Sequence, residues 1–182
     1  MTTEILIAGF GGQGVLSLGK ILAHAAVMEG REVSWLPSYG PEQRGGTCNV
    51  TVVISDERIS SPIVDSYDIV ITLNQQSLSK FEQRVKPRGI LIFDRYGMVD
   101  LPKRTDINMY AISAVETAHA EDVDKMLSMV VAGALLSISP IVKPESLLAA
   151  LQSVLPAHKH DLLPTNERAF NLGAQCVVAK EH

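Results

Sequence analysis

The sequence predicts an α/β protein, a Rossmann-like, mostly parallel sheet flanked by helices, with a helical C-terminal third. Three observations predict it. Short apolar, β-branched runs alternate with amphipathic stretches through residue 112. The first of these runs, Ile5-Leu6-Ile7-Ala8, passes through Gly9-Phe10-Gly11-Gly12-Gln13-Gly14 directly into the helical pattern that opens at Val15. From Ser113 onward only helical periodicity remains.

The elements follow in order. The first helix is expected from Val15 to Met28, with Gly30 placed for a left-handed C-cap. Glu32 to Leu36 reads as a second strand, broken by Pro37, and residues 37 to 47 form a polar, glycine-rich loop. In open α/β sheets such loops, following a strand end, lie at the ligand crevice. Cys48 to Ser55 is a third strand, and Ile59 to Val64, holding Pro62, a short edge strand. Tyr67 to Leu73 and Ile90 to Phe93 are nearly continuous apolar runs, as expected of strands buried on both faces. A helix is expected from Asn74 through Val85, and Ile107 to Ile112 is read as the last strand. Ser113-Ala114-Val115-Glu116 has the form of a capping box. Helices are expected over Val123–Ser137, Pro144–Leu155 and Asn166–Lys180.

Composition narrows the function. At 182 residues, 46% hydrophobic and 20% charged, the chain suffices for one domain with a sizeable core. A net charge of −4 argues against nucleic acid, which calls for a basic face. Two distant cysteines, Cys48 and Cys176, are too few for a structural zinc or an iron–sulfur cluster, and read as reduced thiols of a cytoplasmic protein. No basic-then-apolar leader precedes the first strand, so no signal peptide is expected. The apolar run from Met126 to Ile138 is short of the roughly 20 residues a bilayer requires, so no membrane span is expected.

Two motifs carry chemistry. Gly9-x-Gly11-x-x-Gly14 lets the backbone approach a ligand closely, and the helix behind it offers unpaired N–H groups and the positive end of its dipole to a phosphate. The turn is thus a seat for a phosphate-bearing ligand or for the edge of a neighbouring subunit; alternatively its glycines serve only close helix–strand packing. A dinucleotide site would also want an acid at the end of the second strand, and Ser34-Trp35-Leu36-Pro37 has none. The second motif, Arg44-Gly45-Gly46-Thr47, adds a guanidinium that forks onto phosphate or carboxylate, two permissive backbones and a hydroxyl, with Tyr39 as a stacking or lid residue. Asn74 and Asp94-Arg95-Tyr96 are expected on the same rim, Asn74 as a helix N-cap. The histidines (His24, His119, His158, His160 and His182) show no metal spacing, and neither cysteine has an adjacent base. The pattern is that of a binding or assembly unit rather than a whole catalyst.

Gly9 to Val15 followed by Pro37-Ser38-Tyr39-Gly40-Pro41-Glu42-Gln43-Arg44-Gly45-Gly46-Thr47 closely resembles the gamma subunit of 2-oxoacid:ferredoxin oxidoreductases. Ser61-Pro62, Thr72-Leu73-Asn74, Lys80-Phe81 and the helix around Asn166, Ala169 and Gly173 share the likeness, which covers nearly the whole chain as one gamma-type domain over residues 1–182. The resemblance implies a subunit of a complex that oxidatively decarboxylates a 2-oxoacid to an acyl-CoA and passes electrons to ferredoxin. Alpha and beta subunits, and in some complexes a delta, ferredoxin-like one, are the implied partners. Thiamine diphosphate and iron–sulfur clusters would lie on those partners, with no cofactor bound covalently here and no catalytic residue on this chain. A role in holding coenzyme A or packing on partners is carried by motif match to Gly11, Gly12, Gln13, Gly14, Tyr39, Arg44, Gly45, Gly46 and Thr47. The form of the second motif is most similar to that of 2-oxoglutarate and branched-chain enzymes, and 2-oxoglutarate, giving succinyl-CoA, is the expected substrate. The alternatives are an indolepyruvate or branched-chain small subunit, or a free-standing nucleotide-binding module.

Overall fold

The computed structural model describes residues 1–40 and 46–181. The strands are β1 (Thr2–Phe10), β2 (Glu32–Tyr39), β3 (Thr47–Ser55), β4 (Tyr67–Thr72), β5 (Val85–Asp94), β6 (Asn108–Ile112) and β7 (Val177–Glu181). The helices are α1 (Val15–Met28), α2 (Gln75–Phe81), α3 (Ala114–Ala120), α4 (Leu127–Ile138), α5 (Pro144–Val154) and α6 (Leu163–Gly173). One sheet has the order β2-β3-β1-β4-β5-β6-β7. β1, β4, β5 and β6 pair in parallel. β3 runs antiparallel between β1 and β2, and β7 antiparallel on β6. β2 therefore points the same way as β1, and the sheet is mostly parallel with a reversed strand near each edge.

The core divides along the pleat. Ile5 and Ile7 of β1 pack with α1 and the C-terminal helices, whereas Leu6 and Ala8 pack with Leu78 and Phe81 of α2 on the other face. All four are fully buried, so the run has no polar alternation to show. α1 closes as expected: Gly30 has φ +77, and the N–H of Arg31 reaches back to the Ala26 carbonyl at 3.1 Å.

Five expectations differ from the structure. β2 does not stop at Pro37 but continues to Tyr39, because an edge strand has a side on which a missing N–H costs nothing. No strand forms over Ile59–Val64. α2 ends at Phe81, and β5 already begins at Val85, with Arg88 in the left-handed region at φ +65 where the turn 87–89 becomes an irregularity within the strand. Ser113 makes no capping bond to α3; Asp94 takes that place instead. The final helix stops at Gly173, and the residues from Val177 form β7, so Ile107–Ile112 is not the last strand. Gly173, the last residue of α6, is a packing glycine: a Cβ there would overlap the Val130 carbonyl oxygen of α4, and one on Gly133 the Phe170 carbonyl oxygen of α6. α4 and α6 thus cross backbone to backbone.

Candidate functional site: a cleft at the carboxyl edge of the sheet

Parallel direction places the ends of β1, β2, β4, β5 and β6 on one edge, and the antiparallel β3 begins there. Phe10 stands opposite Thr47, and Tyr39 opposite Cys48. The two glycine segments therefore meet. The Gly11 N–H donates to the Gly46 carbonyl at 2.9 Å, and the Gly40 N–H to the Thr47 carbonyl at 2.9 Å. Above them opens a cleft of about 500 Å³, lined on its turn side by Gly11, Gly12, Gly14 and the first turn of α1.

The residues of the turn divide the labour. Gly14 is the N-cap of α1 in left-handed geometry, φ +76, and Gly12 has φ +96. A Cβ on Gly14 would lie 2.8 Å from the Ser128 Cβ, whereas one on Gly12 would meet nothing within 4 Å. Gly9 is a packing glycine, its would-be Cβ 2.6 Å from the Gln13 Oε1. Gln13 is a clamp: its Oε1 accepts from the Phe10 N–H at 2.7 Å, and its Nε2 donates to the Leu73 carbonyl at 3.2 Å. The clamp ties the turn to the end of β4, and Gln13 does not line the cleft. The first helical bond of α1 runs from the Leu18 N–H to the Gly14 carbonyl at 2.9 Å. The N–H groups of Val15, Leu16 and Ser17, residues that line the cleft, precede it and have no partner in the helix.

Tyr39 is 65% exposed and lines the cleft, as does Thr47; Gly46, also in the lining, is buried. Arg44 and Gly45 lie outside the described residues. The far wall was not expected. Lys125, in the 3₁₀ turn Asp124–Met126, and Ser128, in α4, also line the cleft. They come from the C-terminal half of the chain, and no local pattern marks them. Ser17 was legible only as a first-turn residue of α1.

Asn74 and Asp94 sit on the same edge but serve helices. Asn74 Oδ1 accepts from the Ser77 N–H at 2.8 Å, the N-cap expected. Asp94, fully buried, accepts from Tyr96 N–H at 2.8 Å and Val115 N–H at 2.9 Å. Burial pushes its carboxyl above the ordinary range, against the pull of those N–H groups. Both thiols are buried; burial raises Cys48 and takes Cys176 up to about 11, so neither supplies a thiolate near neutral pH. Among the described residues no group of three His, Cys, Asp or Glu is placed to hold a metal ion, and no helix is long and apolar enough to cross a membrane. Among the described residues the cleft presents unpaired N–H groups, an ammonium, hydroxyls and an aromatic at its mouth, and no acid–base pair.

Residues 4–176 match the pyruvate ferredoxin/flavodoxin oxidoreductase family. The chain belongs to that family. Within it, the 2-oxoglutarate synthase subunit KorC of Methanocaldococcus jannaschii is 36% identical over 184 residues, covering 100% of this chain and 96% of the relative. The ketoisovalerate oxidoreductase subunit VorA of Methanothermobacter thermautotrophicus is 38% identical over 173 residues, covering 94% of this chain and 36% of the relative. The chain spans about a third of the length of such VorA relatives. Among solved structures, the gamma subunit of a keto/oxoacid ferredoxin oxidoreductase from Geobacter sulfurreducens superposes with a TM-score of 0.84 at 28% identity, over 97% of this chain and 96% of that one. The 2-oxoglutarate:ferredoxin oxidoreductase from Magnetococcus marinus, solved with 2-oxoglutarate, coenzyme A and succinyl-CoA bound, superposes with a TM-score of 0.87 at 24% identity. That likeness covers 99% of this chain and 32% of the Magnetococcus chain, and shows a shared fold.

Proposed function

We propose that this chain is the gamma subunit of a cytoplasmic 2-oxoglutarate:ferredoxin oxidoreductase, and that its cleft holds part of coenzyme A where it packs on the alpha and beta subunits. The observation that carries the reading is the Gly11–Gly46 hydrogen bond, which joins the two glycine motifs over one anion seat. The free N–H groups of α1, the Lys125 ammonium and the Ser17, Thr47 and Ser128 hydroxyls fit a phosphorylated ligand in chemistry and scale. The coenzyme-bound Magnetococcus enzyme and the full-length KorC relative support the ligand class and the 2-oxoacid. Thiamine diphosphate and iron–sulfur clusters supply decarboxylation and electron transfer from the partner subunits, a delta ferredoxin-like subunit among them where one is present, with ferredoxin as acceptor. On this chain the glycine turn binds and orients, and Gln13 keeps it in register.

Reconstitution with the alpha and beta subunits tests this. Reduction of ferredoxin that requires coenzyme A and all the subunits is expected, with 2-oxoglutarate preferred at least about tenfold in kcat/KM. Turnover by this chain alone, or tight NAD or FAD binding by it, would overturn the subunit reading. The VorA relatives favour a second reading, a branched-chain 2-oxoacid enzyme. A preference for 2-oxoisovalerate would select it.

A further inference from the structure

We propose that Lys125 is the side-chain cation that holds the diphosphate of coenzyme A against the first turn of α1. The inference rests on the cleft being a coenzyme A site and adds to it a binding residue from the C-terminal half of the chain.

Three observations place the charge. The cleft has two walls, the glycine turn with Val15, Leu16 and Ser17 on one side and Lys125 with Ser128 on the other. The walls come into contact where Gly14 presents only hydrogens to Ser128; a Cβ there would come within 2.8 Å of the serine Cβ. That contact seats the start of α4 beside the N-terminus of α1, and Lys125, one turn before Ser128, comes to the same opening. Finally, Lys125 is exposed, pairs with no carboxylate among the described residues, and is the lysine or arginine that the described lining of the cleft contains. No described Asp or Glu lines the cleft. In a chain of net charge −4, the described lining thus brings one ammonium, that of Lys125, to the same cleft as the unpaired N–H groups of α1. A diphosphate, doubly anionic and long enough to be shared between facing walls, matches it better than a single carboxylate does.

The test uses the assembled complex. Calorimetric Kd and steady-state KM are measured for coenzyme A and for 3′-dephospho-coenzyme A, which keeps the diphosphate. Lys125→Ala is expected to weaken both ligands by the same factor, roughly tenfold or more, and Lys125→Arg to restore most of the loss. Ser17→Glu is the control for the cleft itself: an acid in the first helical turn is tolerated by the dipole, yet repels a phosphate placed there. It too is expected to weaken both ligands. If Ser17→Glu weakens binding and Lys125→Ala does not, the assignment of Lys125 falls and the cleft stands. If Ser17→Glu changes nothing, the cleft reading falls and this inference with it. If Lys125→Ala weakens coenzyme A alone, Lys125 serves the 3′-phosphate and the diphosphate assignment is wrong.

Discussion

The two walls of the cleft are held in place by different means. The glycine turn takes its shape locally, from left-handed Gly12 and Gly14 and a Gln13 side chain that bonds three residues back, and is tied to the sheet by the other end of that side chain on the Leu73 carbonyl. The α4 wall is held from a distance, by the crossing with α6 and the contact of Ser128 with Gly14. Glycine serves both, for unlike reasons. In the turn it supplies a backbone angle and, at Gly12, open space for a ligand; at Gly133 and Gly173 it removes a side chain so that two helices can touch. A site built this way has one wall specified locally and one specified only by the finished fold.

The sharpest way to break the distant wall is at the crossing. Gly173→Ala places a methyl where the Val130 carbonyl oxygen stands, and neither helix backbone can yield without moving α4. Overpacking of this kind costs about 3 kcal/mol. Thermal unfolding of the isolated chain is expected to drop by roughly 6–12 °C. A drop under a degree would mean that α4 and α6 are free to separate, and that the α4 wall is not fixed by its crossing.

The junction of the walls gives a smaller and more diagnostic difference. Gly12→Ala meets only the left-handed backbone penalty, about 1 kcal/mol. Gly14→Ala meets that penalty and the Ser128 contact as well, for about 2–3 kcal/mol together. Chemical denaturation of the two variants is expected to rank them in that order. Equal losses would show that α4 does not press on the turn, and Lys125 would lose its reason to stand over α1.

The same contrast explains what the sequence made legible. β1, the turn, α1 and its Gly30 cap, and the Asn74 cap are written in neighbouring residues, and periodicity finds them. The meeting of the two glycine loops followed from strand direction alone, since both motifs flank strand ends on one edge. What periodicity missed is tertiary. Lys125 has no local mark, because its place depends on α4 folding back over the turn. The Asn166–Lys180 stretch reads as one helix, but it ends at Gly173, which packs against α4, and from Val177 the chain pairs with the open edge of β6. The capping box at Ser113 has the right letters, but the buried Asp94 occupies the position the serine would need, and the Ser113 hydroxyl turns to the Cys176 carbonyl at 3.3 Å instead.

Asp94 gives the mildest of these tests and joins both regions, for it ends β5 on the cleft edge and caps α3 in the helical layer. Its carboxylate is buried with N–H partners and no paired cation among the described residues, so burial raises its pKa in the folded chain above the unfolded value near 4. The sign follows by linkage. Between those two values the folded state binds the extra proton, so the contribution of Asp94 to stability is greatest below pH 4 and declines as pH rises through the raised pKa. Asp56 and Asp106, held low by the N-terminal ammonium and by Arg104 respectively, give the opposite slope. The difference between the wild type and Asp94→Asn isolates the buried group. The asparagine keeps one acceptor oxygen for two N–H donors and is expected to cost about 1 kcal/mol at pH 4. That cost should shrink as pH rises through the raised pKa, where the wild type comes to carry a buried charge that the asparagine does not. A cost that instead grew with pH would mean that the α3 N-terminus stabilises the carboxylate more than burial opposes it, and that the cap serves the charge rather than tolerating it.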